Sequence, residues 1–269
     1  MRGASRASLA SARERLAAAA QAGPASELGD ELFAVTTLLD GQPALLRSLA
    51  DPARGAEARA GLLTELLSGK VSPATLDLLT GVVSERWSVP GDLADAVEEL
   101  AVLAIVEMAD SEGQLDDLED ELFRFGRIVN GAPELRTVLS NRFVAAERKR
   151  ELLDQLIGGK VAAPTLRLVT QAAAHPRGRS LDASLAEYAR LAAQQRARLV
   201  AEVHVAVGLS AEQRARLAAA LAAAYGRDVH LNIVLDPQVV GGLSIRTGDE
   251  LIDGSMAARL ASLRRRLAA

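Results

Sequence analysis

The first two-thirds of this chain repeat at a fixed interval. Asp30-Glu31-Leu32-Phe33 recurs as Asp120-Glu121-Leu122-Phe123, a shift of 90 residues (120 − 30 = 90), and Gly69-Lys70-Val71 recurs as Gly159-Lys160-Val161. The interval is longer than the roughly 20 to 50 residues of solenoid units, so it indicates two copies of a whole helical domain. The apolar residues of each copy follow the spacing of one helix face. They are Leu28, Leu32, Val35 and Leu39 in the first copy and Leu118, Leu122, Phe125 and Val129 in the second.

Composition narrows the class of protein. Apolar residues make up 49% of the chain and aromatic residues only 3%, which favours closely packed helices over a sandwich or barrel. The formal net charge of -4 argues against a nucleic-acid-binding protein. The absence of cysteine excludes disulfides and thiolate chemistry. No apolar run approaches the roughly 18 residues of a membrane span.

The sequence changes character after the second copy. Residues 199–207 alternate as a strand does, the next segment predicts a helix, and residues 229–263 predict three more strands and a last helix. Pro237 removes a ladder donor and ends the first of those strands, and Ser255 is the predicted N-cap of the helix. We therefore predict a mainly α fold, with two tandem helical bundles followed by a small α+β C-terminal domain. The predicted domains are residues 1–94, 95–197 and 198–269.

The C-terminal strands carry a pattern of turn residues. Its parts are Leu-Asp-Pro, Gly-Gly-Leu, Thr-Gly-Asp and Ile-Asp-Gly-Ser, followed by a helix with Arg and Leu. With all its spacings, this pattern closely resembles the C-terminal signature of the delta subunit of F-type ATP synthases, the family of the mitochondrial oligomycin-sensitivity-conferring protein. We interpret the signature residues as structural. They are Asp236, Pro237, Gly241, Gly242, Gly248, Asp249, Asp253, Gly254, Ser255, Arg259, Leu260 and Leu263.

The second copy is similar to the N-terminal helical domain of that family, from residues 112–122 through residues 133–161. A usual member has one such domain, so the first copy is an extra one, similar to the duplicated form of actinobacterial delta subunits. The resemblance implies a stator subunit of the peripheral stalk, which has no catalytic site or cofactor and resists rotor torque. It also implies a peripheral position on the cytoplasmic side of the plasma membrane, as part of the synthase complex.

The same resemblance implies two partners. In delta subunits, the helical domain holds N-terminal helices of the alpha subunits between its first and fifth helices, and the C-terminal domain meets the C-terminal end of the b subunit. In the second copy these helices correspond to residues 96–109 and about 163–174. The candidate groove residues are Val102, Ile105, Val106 and Ala109 on the first helix and Leu166, Val169 and Ala173 on the fifth.

The helix at residues 96–109 is apolar on two opposite faces, whereas a surface helix needs only one apolar stripe. The second stripe is either a groove for a partner helix or a contact with the first copy. Replacing Ile105 with Asp should weaken head binding without unfolding in the first case, and should unfold the domain in the second. A generic helical adaptor is the alternative to the stator; it explains the repeat but not the C-terminal signature.

No catalytic constellation is present in the sequence. Gly159-Lys160 resembles part of a phosphate-binding loop, but Asp154 stands where that loop needs glycine and Val161 where it needs Ser or Thr. A helix C-cap followed by a cation explains the site better. The histidines have no partner at a spacing of three or four residues, so a helical metal site is not expected. They are His175, His204 and His230.

Overall fold

The computed structural model of the chain describes residues 3–22, 24–196, 199–225, 229–236, 239, 242–247 and 250–253. The chain divides into two units, Met1–Ala193 and Gln194–Ala269. The first unit is helical, and the described part of the second combines a helix with strands. The fold is therefore mainly α with a small α+β part, as the sequence predicts.

The helices of the first unit follow the interval of the sequence repeat. Helix α1 spans Ala4–Ala22 and α6 spans Pro90–Ser111. Between them lie α2 (Ala25–Gly41), α3 (Pro43–Ala50), α4 (Ala56–Leu67) and α5 (Pro73–Ser84). Each of these four recurs with both ends shifted by 90 residues, as α7 (Leu115–Gly131), α8 (Pro133–Ser140), α9 (Ala146–Ile157) and α10 (Ala163–Ala174), and α11 (Leu181–Arg196) follows. The sequence repeat is therefore a repeat of structure.

Helix ends in the two copies use the same local chemistry. Pro43 and Pro133 occupy the first position of their helices, where a backbone N–H would have no helical partner. Gly69 and Gly159 have φ angles of 72° and 69°, in the left-handed region that glycine favours after a helix. These glycines come one residue after the C-caps of α4 and α9, so helix termini account for both Gly-Lys pairs, as the sequence predicts.

A carboxylate caps the fifth helix of each copy from outside. Glu31 accepts hydrogen bonds from the backbone N–H and the hydroxyl of Ser72, at 2.7 and 2.8 Å. Its counterpart Glu121 accepts from the N–H of Ala162 at 3.0 Å and from the Thr165 hydroxyl at 2.6 Å. A negative charge at this end of a helix is favourable because the free N–H groups make the N-terminus electropositive.

A buried cation lies at the C-terminal end of each of these helices. Arg59 donates to the carbonyl oxygens of Glu85 at 2.7 Å and Ser84 at 3.1 Å. Its counterpart Lys149 donates to the carbonyl of Ala173 at 2.8 Å. Both cations are buried, and each neutralises the electronegative C-terminus of the helix that it touches. Paired cations and carboxylates thus hold α5 and α10 at both ends.

Helix α6 belongs to both copies. By the interval of 90 residues it is the counterpart of α1 before it and of α11 after it. It packs against α1, α2 and α3 on one side of the repeat and against α7 and α10 on the other. The predicted boundary between residues 94 and 95 falls inside this helix. Both apolar faces of α6 are buried, and one continuous core runs through both copies.

The second unit begins at Gln194, near the predicted start of the C-terminal domain. Its elements are β1 (Leu199–Val205), α12 (Ala211–Tyr225), β2 (Val229–Leu235), β3 (Leu243–Thr247) and β4 (Glu250–Asp253). The sheet order is β2-β1-β3-β4. Strands β1 and β2 are parallel, joined by α12, and β3 is antiparallel to both β1 and β4. The predicted last helix lies outside the described residues.

Candidate partner-binding site

The groove residues predicted from the sequence lie mostly inside the chain. Leu166 is partly accessible. The other six are buried, and they are Val102, Ile105, Val106, Ala109, Val169 and Ala173. In this structure the face of α6 predicted to form a groove is therefore covered by other parts of the chain, and partner binding by these residues stays a prediction.

A close approach of α2 fills the face of α6 that the sequence assigns to a partner. A Cβ atom built on Gly29 would lie 2.5 Å from Cδ1 of Ile105 and 3.4 Å from the carbonyl oxygen of Ala101. Side-chain carbons do not approach to 2.5 Å, so glycine is what allows the two helices to pack at this distance. Helix α2 of the first copy therefore covers this face of α6.

A buried ion cluster centres on Glu98 of α6, whose side chain is 3% exposed. Its carboxylate pairs with the guanidinium groups of Arg177 and Arg179, which lie between α10 and α11. The hydroxyl of Tyr188, on α11, donates to the same carboxylate at 3.0 Å. The cluster therefore fixes α11 and the segment before it against α6.

Arg177 extends this cluster to the first copy. Its Nε lies 2.6 Å from Oδ2 of Asp40 at the end of α2, and its Nη2 lies 3.1 Å from Oδ1 of Asp95 on α6. The backbone of Arg177 has a φ of 49°, an uncommon conformation for a residue with a side chain. Such strain persists only where surrounding contacts hold it, and here three carboxylates do so.

Burial and charge shift the pKa values of this cluster. Burial raises the pKa of Tyr188, and the charge and hydrogen bond of Glu98 raise it further, so the phenol stays a donor. Burial raises the pKa of Asp95, and the positive charge of Arg177 only partly opposes it. Burial lowers the pKa of Arg177, but the hydrogen bonds and charges of Asp40 and Glu98 outweigh it and the net shift is upward. The arginine is therefore a permanent cation.

The sequence alone does not reveal this cluster, although one signal for it is present. Glu98 shares a helix face with Ala94, Ala101 and Ile105, at spacings of four, three and seven residues. A carboxylate on an apolar face has to be paired when that face is buried. Its two arginine partners come from a distant loop and Tyr188 from α11, and no local pattern identifies them.

A groove remains open between α2 and the second copy, and we call it the junction groove. Arg167 of α10 crosses it, pairing with the carboxylate of Asp30 and donating to the carbonyl of Ser26 at 3.2 Å. It holds about 350 Å³. Its lining residues are Asp30, Phe33, Ala34, Thr37, Arg150, Leu166, Arg167, Thr170, Gln171 and His175. Among the predicted partner-binding residues, Leu166 lines this groove.

The described part of the C-terminal signature makes structural contacts. The N–H of Asp236 donates to the carbonyl of Val205 at 2.9 Å, and its own carbonyl accepts from the N–H of Val239 at 3.1 Å. Gly242 has a φ of 83°, a conformation suited to glycine, and Asp253 ends β4. The other predicted signature residues lie outside the described residues; they are Pro237, Gly241, Gly248, Asp249, Gly254, Ser255, Arg259, Leu260 and Leu263.

Metal-ligand clusters and membrane-crossing helices are both absent from the part of the chain that the structure describes. No group of three or more histidine and acidic side chains there could hold a metal ion. None of the helices there has the length and apolarity needed to cross a bilayer.

Comparison with known proteins identifies the family. The ATP synthase delta (OSCP) subunit family matches residues 102–267. A protein of Thermobifida fusca named ATP synthase subunit delta is 50% identical over 268 residues and covers 100% of both chains. Its namesake in Streptomyces avermitilis is 51% identical over 268 residues, covering 99% of this chain and 98% of its own. These matches include the first copy, which the family match leaves out. The chain therefore belongs to the ATP synthase delta (OSCP) family.

Proposed function

We propose that this chain is the delta subunit of an F-type ATP synthase and acts in its peripheral stalk. The observation that carries the proposal is the similarity, at about half identical residues over the full length, to proteins named ATP synthase subunit delta. The subunit performs no chemistry of its own. It lies at the cytoplasmic side of the plasma membrane as a peripheral part of the complex, and it ties the catalytic head to the stalk.

A stiff helical unit suits this role. Torque on the head is resisted only if the connection between head and stalk does not yield. One continuous core passes through both copies, and the Glu98 cluster joins α2, α6 and α11 by ion pairs inside it. Close-packed interiors have low compressibility and transmit strain. The extra copy therefore lengthens the connector without adding a hinge at α6.

We assign head binding to the exposed surface of the second copy. Phe123 and Phe143 are 64% and 83% exposed, whereas Phe33, the counterpart of Phe123 in the first copy, is only 7% exposed. Aromatic side chains are enriched among the residues that dominate the energy of protein interfaces. These side chains replace the filled α6 groove as contacts for the N-terminal helices of alpha subunits. The C-terminal unit takes the C-terminal end of the b subunit.

Affinity capture tests this assignment. The tagged full-length chain is immobilised, solubilised membranes of its host are passed over it, and retained proteins are identified by mass spectrometry. We expect the alpha and b subunits to be retained. A chain carrying both Phe123→Ser and Phe143→Ser should lose alpha and keep b, while Val89→Ser, which changes an exposed side chain of the first copy, should lose neither.

Two results would contradict these assignments separately. Retention of other proteins without alpha and b, under mild conditions, would favour a generic helical adaptor over a stator subunit. If the double variant still retains the alpha subunit, Phe123 and Phe143 do not form the head-binding surface. The stator function would be unaffected by that result.

A further inference from the structure

We propose that the junction groove binds a segment of a partner protein that presents an apolar side chain next to a carboxylate. The groove is separate from the exposed aromatic residues assigned to head binding. The inference does not depend on which protein supplies the segment, so it goes beyond the stator function.

The shape of the groove favours a short piece of polypeptide. Its lining combines Phe33 and Ala34 of α2 with Leu166 of α10, and it holds about 350 Å³. Pockets for small molecules range from about 300 to 1,000 Å³, so this one is at the lower limit. It has room for one or two side chains and suits an apolar anchor.

A buried donor in the groove lining lacks an acceptor. Gln171 is 8% exposed, and its Nε2 has no hydrogen-bond partner among the described residues. Buried polar groups are nearly always paired, because an unpaired donor loses its hydration without compensation. A carboxylate or carbonyl oxygen entering the groove would supply the missing acceptor.

The rim of the groove adds a positive charge. Arg150 of α9 donates from Nη2 to Nε2 of His175 at 3.0 Å. Because arginine only donates, this ring nitrogen accepts, and the imidazole is neutral. Burial lowers the pKa of His175, and the charge of Arg150 lowers it further. The acidic neighbour of Arg150 is Glu147, 3.5 Å away and solvent-exposed, which is a weak pair that a docked carboxylate would outcompete.

The charged residues that line the groove determine whether a bound segment should be acidic or basic. Asp30 and Arg167 neutralise each other across the groove. Arg150, whose pair with the exposed Glu147 is weak, therefore provides the positive charge at the groove. This single charge repels a basic segment and is too small to bind a polyphosphate. Charge complementarity selects a single carboxylate.

The first copy has no equivalent of this site. Ala60, Asp77, Gly81 and Glu85 stand 90 residues before Arg150, Arg167, Gln171 and His175. The cations and the amide donor are therefore specific to the second copy, and α2 of the first copy supplies the facing wall. Joining the two copies creates the groove.

Two matched peptides test the proposal. The probes are acetyl-Ala-Leu-Leu-Glu-Ala-Leu-amide and the same peptide with Gln in place of Glu, titrated into the full-length chain. NMR follows the Leu166 methyl groups and the Gln171 side-chain amide. We expect the Glu peptide to bind about tenfold more tightly, as one charge-assisted hydrogen bond in a partly buried site provides.

Three variants locate the source of that preference. Arg150→Gln should reduce the preference to less than about twofold, and Gln171→Leu should weaken binding of the Glu peptide severalfold. Arg148→Gln, on the same helix but outside the groove, is the control and should retain the preference. Circular dichroism melting of each variant verifies that it is folded.

Several outcomes would overturn the proposal. Equal affinity of the two peptides for the wild-type chain would remove carboxylate recognition. A preference that survives Arg150→Gln, or chemical-shift changes confined to residues outside the groove, would place binding elsewhere. A dimer that dissociates when peptide is added would reassign the groove to a second copy of this chain.

Discussion

Tyr188 donates a hydrogen bond to Glu98 across 3.0 Å, and the two residues occupy equivalent positions of the repeat, 90 residues apart. Counterparts in the sequence thus meet in space, because α6 and α11 are successive forms of one helix. The earliest form, α1, carries Ser8 at the same position, and its hydroxyl donates to the carbonyl of Arg86 at 2.7 Å. The same repeat position, occupied by Ser8, Glu98 and Tyr188 in α1, α6 and α11, therefore makes polar contacts that hold neighbouring segments in place.

Removing the charge of Glu98 should destabilise the helical unit strongly. Glu98→Gln leaves Arg177 and Arg179 without their shared buried counter-ion, and breaking a buried pair in this way costs about 3 to 5 kcal/mol. Urea unfolding followed by circular dichroism measures the change in the free energy of unfolding. Glu187→Gln is the control, since its exposed pair with Arg190 contributes about 0.5 kcal/mol or less. Equal losses in the two variants would contradict a special role for the cluster.

A methyl group at Gly29 should push α2 away from α6. The new Cβ would meet Cδ1 of the buried Ile105 at 2.5 Å, and such overpacking costs about 1 to 3 kcal/mol. At Gly61, inside α4, an added Cβ would have no neighbouring atom within 4 Å, so Gly61→Ala should stabilise by about 0.5 to 1 kcal/mol through helix propensity alone. Thermal melting of both variants measures the two effects. A stabilised Gly29→Ala would show that the helices are not in close contact.

Charge at position 105 should unfold the chain. Ile105 is fully buried between the two copies, and an unpaired buried carboxylate costs more than the few kcal/mol by which domains of this kind are stable. We therefore expect Ile105→Asp to lose the cooperative melt seen by circular dichroism, while Val89→Asp, at an exposed position, retains it. A folded Ile105→Asp that fails only in head binding would restore the open-groove interpretation of α6.

Asp95 should make stability depend on pH. Burial raises its pKa above the usual 3.8, against the opposing charge of Arg177. A carboxyl that binds its proton more tightly in the folded chain contributes stability that is full below its unfolded pKa and is lost as pH rises through the folded pKa. Asp95→Asn removes this loss. Because the side chain is partly exposed, the gain is small, about 1 to 2 °C in melting temperature relative to the wild type as the pH rises above the usual pKa of 3.8. A melting temperature that falls relative to the wild type over this range would show that the ion pair with Arg177 dominates.

Local features of the fold were predictable from the sequence. The helices of the repeat and their ends follow from apolar spacing, from prolines such as Pro43 and Pro133, and from glycines such as Gly69. The strand order along the chain after residue 198 also follows from alternation and turn residues. These features depend on neighbours within a few residues, so a single sequence contains the information.

The sharing of α6 was not predictable in the same way. Its two apolar faces indicate that both are covered, but not by what, because burial is the same free-energy gain against any apolar partner. Gly29 determines which element covers α6, because it allows α2 to approach closely. It lies about seventy residues before the part of α6 that it contacts. The Glu98 cluster depends likewise on Arg177 and Arg179, whose positions only the folded chain defines.

The most direct test of the stator function measures coupling in the synthase. Membrane vesicles of the host are depleted of this chain, and ATP-driven proton pumping is followed by quenching of a pH-sensitive dye, alongside ATP hydrolysis. We predict that depletion abolishes pumping while the head continues to hydrolyse ATP, and that the purified wild-type chain restores pumping. Pumping that persists at its original rate after complete depletion would contradict the stator function.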